Sequence, residues 1–452
     1  MWFTKTIYRW SVAIVLSSPV VFVSPLALRS EETPAKLSTV AASYTLPGLP
    51  IAAFQNGASP GTISNDRKIL LGSIGSDLWR GPNDPEGVFW MITDRGPNGQ
   101  VKVNGENRRT FPVPEFNPAI LRVKVSGNAI EILETIPIVI QSGKPVTGLS
   151  NIEGRDETPY DYSGQKKLSF NPNGLDTEGL VQTATGEFWV AEEYGPSLVK
   201  VDRAGKVMKR YIPEGLKLEG ADYPIQPVLP AIYGRRKINR GFEGLAISSD
   251  QKTIYAALQS PFLNPDKKTG EASRNTRILV FDIASEKVTA EYVYRFEVSK
   301  DFDPGPKNSA DEMKVSAAAF IKPGTLLILE RTDKVARLYT VDLDKATNIL
   351  GSRWDDASTS LSLEALEDPA QANITVVPKS LLVDLKSLDG MPDKIEGVAI
   401  IDRDTIAVSN DNDFDIEGDD AGKGVKNKIL VISLKEPLPL PQANGGHLLS
   451  AQ

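Results

Sequence analysis

Asp176-Thr177-Glu178-Gly179-Leu180 is followed by the apolar run Phe188-Trp189-Val190-Ala191 and then by Glu192-Glu193, a separation of 14 from Glu178 to Glu192. The unit recurs. Gly241-Phe242-Glu243-Gly244-Leu245-Ala246 leads to Ile254-Tyr255-Ala256-Ala257-Leu258 and Gln259, a separation of 16, and Lys394-Ile395-Glu396-Gly397-Val398-Ala399 leads to Ile406-Ala407-Val408-Ser409 and Asn410-Asp411, a separation of 14. Two degenerate copies complete the set. In Lys314-Val315-Ser316-Ala317 a serine takes the glutamate position, 14 residues before Glu330-Arg331, and Ile74-Gly75-Ser76-Asp77 leads to Phe89-Trp90-Met91-Ile92-Thr93 and Asp94-Arg95-Gly96-Pro97. The apolar runs are short, rich in β-branched and aromatic residues and bounded by turn residues, which is strand composition. Self-similarity at wide spacing marks a radial or solenoid architecture. In a propeller the equivalent positions of each unit face one central funnel, so the repeated acids are expected to converge there.

Outer hairpins extend each unit. Lys200-Val201-Asp202-Arg203-Ala204-Gly205-Lys206-Val207 reads as two strands joined by a tight turn, and Phe281–Val288 and Val341–Ala346 repeat the pattern. Two inner strands and an outer hairpin make the four-stranded blade of a propeller. The expected fold class is therefore all-β, a six-bladed β-propeller with long inserted loops. Five blades are read from the repeats, and a sixth from the strands of 121–140 or from the two chain ends, with five or seven blades as the alternatives. Residues 46–435 form the propeller domain, 29–45 a polar linker and 436–452 a Pro-rich polar tail. Residues 141–174 read as a long irregular insertion, a length that in compact domains goes with function or disorder. Trp79, Trp90 and Trp189 are expected in the blade core.

The chain has 452 residues and a formal net charge of −7, with no basic block long enough to follow a phosphate backbone, which excludes a general nucleic-acid binder. Gly 36 and Pro 32 fit many short strands joined by turns. Cysteine is absent, which removes disulfides, thiolate nucleophiles and Cys-ligated zinc. Lys5 and Arg9 precede an uncharged stretch, Trp10 to Leu28, so residues 1–28 read as a signal peptide or a retained N-terminal anchor. The protein is expected to be exported, periplasmic or extracellular, touching a membrane only through that segment. A monomer is expected.

The single histidine, His447, lies near the end in a Gly-rich stretch, which argues against a Ser-His-Asp triad or a His-ligated metal. Acid–base chemistry falls to Glu, Asp, Lys, Arg or Tyr, and any metal must be oxygen-ligated, which favours Ca²⁺ or Mg²⁺. The candidate metal ligands are Asp94, Glu192, Glu396, Asn410, Asp411 and Asp413. The last three open the acidic stretch Asn410–Asp420, whose spacing is not that of an EF-hand. The candidate catalytic residues are Glu178 and Glu243 as base, with Arg95, Arg240 and Arg331 for an anionic group, since the guanidinium fork matches phosphate or carboxylate. Glu192 and Glu193 are adjacent on a strand and point to opposite faces, so only one faces the funnel. Each repeated Glu also has a purely structural reading, as a residue that bonds the backbone of the neighbouring blade.

Several stretches together resemble the phytase-like family, "esterase-like activity of phytase". They are Thr93-Asp94-Arg95-Gly96-Pro97-Asn98, Phe111-Pro112-Val113-Pro114-Glu115-Phe116-Asn117-Pro118, Gly174–Leu180, Glu192–Ser197, Asn239–Gly244, Leu329-Glu330-Arg331 and Asn410–Phe414. They run in order through the body, from about residue 50 to 435. The resemblance implies a β-propeller, exported, in bacteria, with hydrolase chemistry suggested by the family's name. The reading is a Ca²⁺-dependent hydrolase of phosphoesters or carboxylic esters acting on a small anionic ester, with no organic cofactor. The alternative is a non-catalytic exported propeller whose acids hold structural Ca²⁺, and a sugar-lactone hydrolase is a third.

Overall fold

The computed structural model describes residues 37–59, 62–305, 308–417 and 421–441. The leader read at 1–28 and His447 lie outside the described residues.

The strands form five four-stranded antiparallel blades arranged in a closed ring. Their innermost strands are Asp77–Trp79, Thr177–Gln182, Phe242–Ile247, Lys314–Lys322 and Ile395–Ile400, and each neighbours the next around the axis. Blade 1 continues outward through Val88–Ile92, Ala119–Ser126 and Ala129–Pro137, and blade 2 through Phe188–Glu192, Ser197–Val201 and Val207–Pro213, with Ile225–Leu229 as a parallel fifth strand. Blade 5 is built from both ends of the described chain: Ile395–Ile400, Thr405–Asn410 and Lys428–Ser433, closed by Thr39–Thr45 as the outermost strand.

A propeller was expected, and the strands form one; the expected count of six blades is corrected to five. The strands of 121–140, held in reserve for a sixth blade, are the outer pair of blade 1. They are separated from the inner pair by an excursion that carries the hairpin Gly99–Val103 and Glu106–Phe111. The two ends of the described residues complete blade 5 and make no blade of their own. In blade 4 the expected hairpin at 341–346 is absent, because residues 343–378 intervene before the outermost strand Lys379–Asp384. Two boundaries also move. Thr39–Thr45 is blade, not linker, and Leu438 at the start of the supposed loose tail is fully buried beside Leu434 between blades 4 and 5.

The apolar core is divided into one slab per blade interface. Ile120, Leu180 and Phe188 pack between blades 1 and 2; Trp189, Leu245 and Phe281 between 2 and 3; Ile278, Val315 and Ile328 between 3 and 4. Leu329, Val398 and Leu430 fill the interface of blades 4 and 5, and Met91, Leu121 and Ala407 that of blades 5 and 1. Trp90 and Trp189 are buried in these slabs, as their sequence context predicts, and Trp79 packs against two of them. Near the axis the inner strands approach too closely for side chains. A Cβ on Gly179 would sit 2.5 Å from the carbonyl oxygen of Glu243, one on Gly244 2.9 Å from the carbonyl carbon of Ala317, and one on Gly397 2.6 Å from the nitrogen of Leu78. The glycine of each Glu-Gly pair is thus the point where one blade meets the backbone of the next.

Candidate functional site

The glutamate before that glycine is displaced from the ladder. In blades 2 to 5 the register between the two inner strands shifts at this position, so that Glu178, Glu243, Ser316 and Glu396 each lie in a β-bulge. A bulge re-aims the side chain it carries, and here it turns the acids inward. Glu178, Glu243 and Glu396, with Ser76 at the corresponding place in blade 1, line a cavity of about 260 Å³ in the propeller funnel. Ser316 donates to Glu243 Oε1 at 3.0 Å.

The second ring of lining residues follows the second strand of each blade. Asp94 and Arg95, Glu193, Gln259, Arg331 and Asp411 occupy these places. The excursion hairpin adds Arg109, the first position of the blade 4 inner strand adds Lys314, and connections between strands add Asn98, Asp176, Asn239, Arg240, Asp333, Lys394, Asp413 and Glu417. Ten carboxylates therefore face six cations around one small space. A larger hollow of about 1090 Å³ adjoins it, sharing Asp333, Lys394, Asp411, Asp413 and Glu417.

Five of the six cations are held by carboxylates. Arg95 pairs with Asp176 at 3.3 Å and Glu157 at 3.4 Å, and Arg109 with Glu157 at 3.0 Å and Glu417 at 2.5 Å. Lys314 pairs with Asp333 at 2.7 Å, Arg331 with Glu396 and with Asp333 at 3.0 Å, and Lys394 with Asp413 and with Asp411 at 3.6 Å. Arg240 is the exception among the described residues: its guanidinium donates to the hydroxyl of Ser260 at 3.1 Å and has no carboxylate partner.

Burial and crowding raise the pKa values of seven of these acids, while Asp333 and Asp413 are held low, against burial, by Lys314 and Lys394. The Glu178 carboxyl is pushed well up by burial, then by Glu243, Glu193, Asp176 and Glu396. Asp94 moves the same way through burial and the charges of Asp411 and Asp176. Burial lifts Asp411 to about 7, with Glu396 and Asp413 adding to it, and lifts Asp176 to about 6 against the pull of Arg95. Burial likewise lowers Lys314 to about 8, helped by Arg331 and Arg240. Like-charged groups packed this way bind a cation or retain protons.

The donor set fits a hard cation. All the acidic ligands offer oxygen, and among the described residues no His or Cys lines the cavity. One oxygen from each of Asp176, Glu178 and Glu193 lies within 4.8 Å of the others, and the same holds for Glu178, Glu243 and Glu396. Glu193 Oε1 and Gln259 Oε1 are buried without a hydrogen-bond donor. Oxygen acceptors left bare in a buried site are what Ca²⁺ or Mg²⁺ would satisfy.

Two candidates read from the sequence leave the site. Glu192 is fully buried and turned away from the funnel, where its carboxylate accepts from Arg210 Nη2 at 2.5 Å, Ser197 Oγ at 2.7 Å and the backbone N–H groups of Asp176, Tyr194 and Gly195. Its neighbour Glu193 takes the funnel face. Asn410 is likewise spent on the backbone, donating to the carbonyls of Asp411 and Lys426 and accepting from Lys428 N–H at 2.8 Å. The funnel brings together Glu178, Glu243, Glu396, Arg95, Arg240, Arg331, Asp94, Asp411 and Asp413. Sequence reasoning passed over Glu193, Asp176, Asn98, Lys314, Lys394, Asp333, Arg109 and Glu417 as site residues. Arg109 comes from the excursion hairpin, and its partner Glu157 from the irregular insertion, for which no repeat supplied a register.

The sequence profile of the phytase-like family, described as esterase-like activity of phytase, matches residues 72–414. The chain belongs to that family. The match spans all five inner strands, so the funnel of this phytase-like chain lies within the family domain. A protein of Arthroderma benhamiae described as an uncharacterized secreted protein is 29% identical over 326 residues, 62% of this chain and 63% of that protein. The alignment thus covers less than two thirds of the relative's length. Among solved structures, the PQQ-bound aldose sugar dehydrogenase of Streptomyces coelicolor is 11% identical, with a TM-score of 0.35 over 89% of this chain and 99% of its own. A calcium-binding regucalcin of Agrobacterium tumefaciens is 12% identical, with a TM-score of 0.32 over 81% of this chain and 94% of its own. Likenesses this weak carry no argument, and the propeller architecture rests on the strand pairing of this phytase-like chain itself.

Proposed function

We propose that the chain is an exported hydrolase of small anionic esters, phosphoesters or carboxylic esters, that works with a hard divalent cation, Ca²⁺ foremost, held by funnel carboxylates. The observation that carries the reading is the pairing of an unsatisfied acid with an unsatisfied base in one cavity. Glu178 has no hydrogen-bond or ion-pair partner among the described residues and Arg240 has no carboxylate, and both line the same 260 Å³ space. Family membership supports ester chemistry, and the secreted relative supports export.

Glu178 and its neighbouring acids would hold the ion, which when bound polarises the substrate oxygen and lowers the pKa of a coordinated water. Glu243 would be the proton acceptor: burial raises its pKa, while Arg331, Ser316 and the adjacent Glu193 hold its carboxylate in position. Arg240, rather than Arg95, would take the substrate anion, because Arg95 is already divided between Asp176, Glu157 and Asn98. The cavity is small, so the reacting group is small, and the adjoining hollow has room for the rest of the substrate.

The test is turnover of an aryl phosphate and an aryl acetate by the purified protein, with Ca²⁺ and with EGTA. Chelator-sensitive turnover of either ester is expected, lost in Glu243→Gln with the fold intact. Full turnover in EGTA would refute the metal requirement. A Ca²⁺-raised melting temperature without turnover of any ester would favour a binding propeller with a structural ion.

A further inference from the structure

The two carboxylate trios that share Glu178 are not equivalent. The trio of Glu178, Glu243 and Glu396 already holds a cation: Arg331 Nη2 pairs with Glu396 and stands 3.8 Å from Glu243 Oε1. Both oxygens of Glu243 are engaged as well. Ser316 donates to Glu243 Oε1 at 3.0 Å, Gln259 donates to Glu243 Oε2, and Arg331 Nε is braced on Ser316 at 2.7 Å. Arg331 itself is 2% exposed, so its charge is fixed and poorly screened.

The trio of Asp176, Glu178 and Glu193 is the reverse case. Its one ion-pair partner among the described residues is Arg95, which reaches Asp176 Oδ2 at 3.3 Å and is shared with Glu157. Asp176 Oδ2 has no hydrogen-bond donor, and neither does Glu193 Oε1, on a side chain 2% exposed. Glu193 lies against Glu243, carboxyl to carboxyl, with burial and that contact raising its pKa. A buried acceptor without a donor is costly, more so when charged, so this trio lacks the partner that the other has.

We infer that the funnel takes one divalent cation, bound by Asp176, Glu178 and Glu193, and that Arg331 stands where a second ion would otherwise sit between Glu178, Glu243 and Glu396. The assignment rests on the metal-dependent reading above and specifies which carboxylates serve it. A second divalent ion among Glu178, Glu243 and Glu396 would meet the fixed guanidinium at short range, in a space where like charges repel strongly. Glu178 belongs to both groups and links the bound ion to the arginine. Arg331 is a positioning residue for Glu243 and Glu396.

Calcium titrated calorimetrically into the EGTA-stripped full chain decides the matter. One ion per chain is expected. Glu193→Gln should weaken binding at least 30-fold, and Glu396→Gln should change the dissociation constant less than threefold. Asp176→Asn gives a second reading of the same trio if circular dichroism shows Glu193→Gln to be misfolded. Two ions per chain, or equal losses in Glu193→Gln and Glu396→Gln, would overturn the assignment while leaving a metal-dependent hydrolase standing. No Ca²⁺ uptake by the wild-type chain would remove both.

Discussion

Replacing Glu192 by alanine should destabilise the fold by about 3–5 kcal/mol while leaving the Ca²⁺ affinity of the folded protein unchanged within threefold. The magnitude follows from what the carboxylate holds. Arg210 and Glu192 are both fully buried, 2.5 Å apart, and truncating one partner of such a pair leaves an uncompensated charge in the core. Arg210 would retain neutral acceptors, Ser197, Asn151 and the carbonyl of Gly174, but no anion. The N–H groups of Asp176, Tyr194 and Gly195 would lose their acceptor too, and only water entering the vacated space would limit the loss. Against a typical total of 5–15 kcal/mol the change is large. With a slope of roughly 4 kcal/mol per molar in guanidinium chloride, the unfolding midpoint should fall by about 1 M. Circular dichroism in denaturant and calorimetric Ca²⁺ titration on the same preparation read the two quantities separately. An unchanged midpoint with Ca²⁺ affinity reduced tenfold or more would mean that Glu192 is a ligand, and would refute its placement between the strands.

Gly397→Ala should destabilise the seam between blades 5 and 1 by about 1–3 kcal/mol, since the new Cβ meets the backbone of Leu78 and Asp77; a wild-type melting temperature would count against the close approach of the inner strands. Arg240→Met should raise KM for an anionic ester by at least tenfold with the unfolding midpoint held within about 0.5 kcal/mol of wild type, and an unaltered KM would remove Arg240 as the anion contact. Stability should also depend on pH through Glu291, which Arg277 contacts at 2.7 Å in blade 3. Burial raises its pKa from 4.5 to about 7, against the pull of Arg277 and with Asp355 adding to the rise. Between these values the folded chain keeps a proton that the unfolded chain has released, so stability falls as pH rises through the window and levels off above it. The loss is on the order of 3 kcal/mol. Glu291→Gln should flatten that part of the profile, and parallel profiles for the two proteins would contradict the shift.

The repeat was legible because it records two constraints at adjacent positions: a bulged residue aimed inward and a glycine at the contact of neighbouring blades. Glu178, Glu243 and Glu396 could therefore be placed together from spacing alone. The same spacing erred by one residue at the second ring. In Glu192-Glu193 and Asn410-Asp411 the first member ends the strand pointing away from the axis and the second turns into the cavity, a parity that the inner-strand bulge makes hard to count from sequence. The blade number was obscured by insertions within blades: the 99–111 hairpin splits blade 1, and residues 343–378 split blade 4. Arg109, its partner Glu157 and Glu417 could not be placed because they come from the excursion hairpin and from irregular segments, where tertiary contact alone sets position. Lys314 and Lys394 sit just ahead of repeated units, but lysine at a strand edge is common and by itself signals nothing.

Blade 5, assembled from strands far apart in the chain, fixes when the ring can form. The backbone N–H of Lys435 donates to Ser38 Oγ across 397 residues, and the outermost strand of that blade, which otherwise meets blade 1 only at Thr45, gains its ladder when the segment Lys428–Ser433 has been delivered. Joining such distant segments, compared with closing a 12-residue hairpin, adds about five doublings of loop length, on the order of 3 kcal/mol of chain entropy. Ring closure is thus a late, long-range event, and a chain threaded through a translocation pore would remain an open series of blades until almost all of it had emerged.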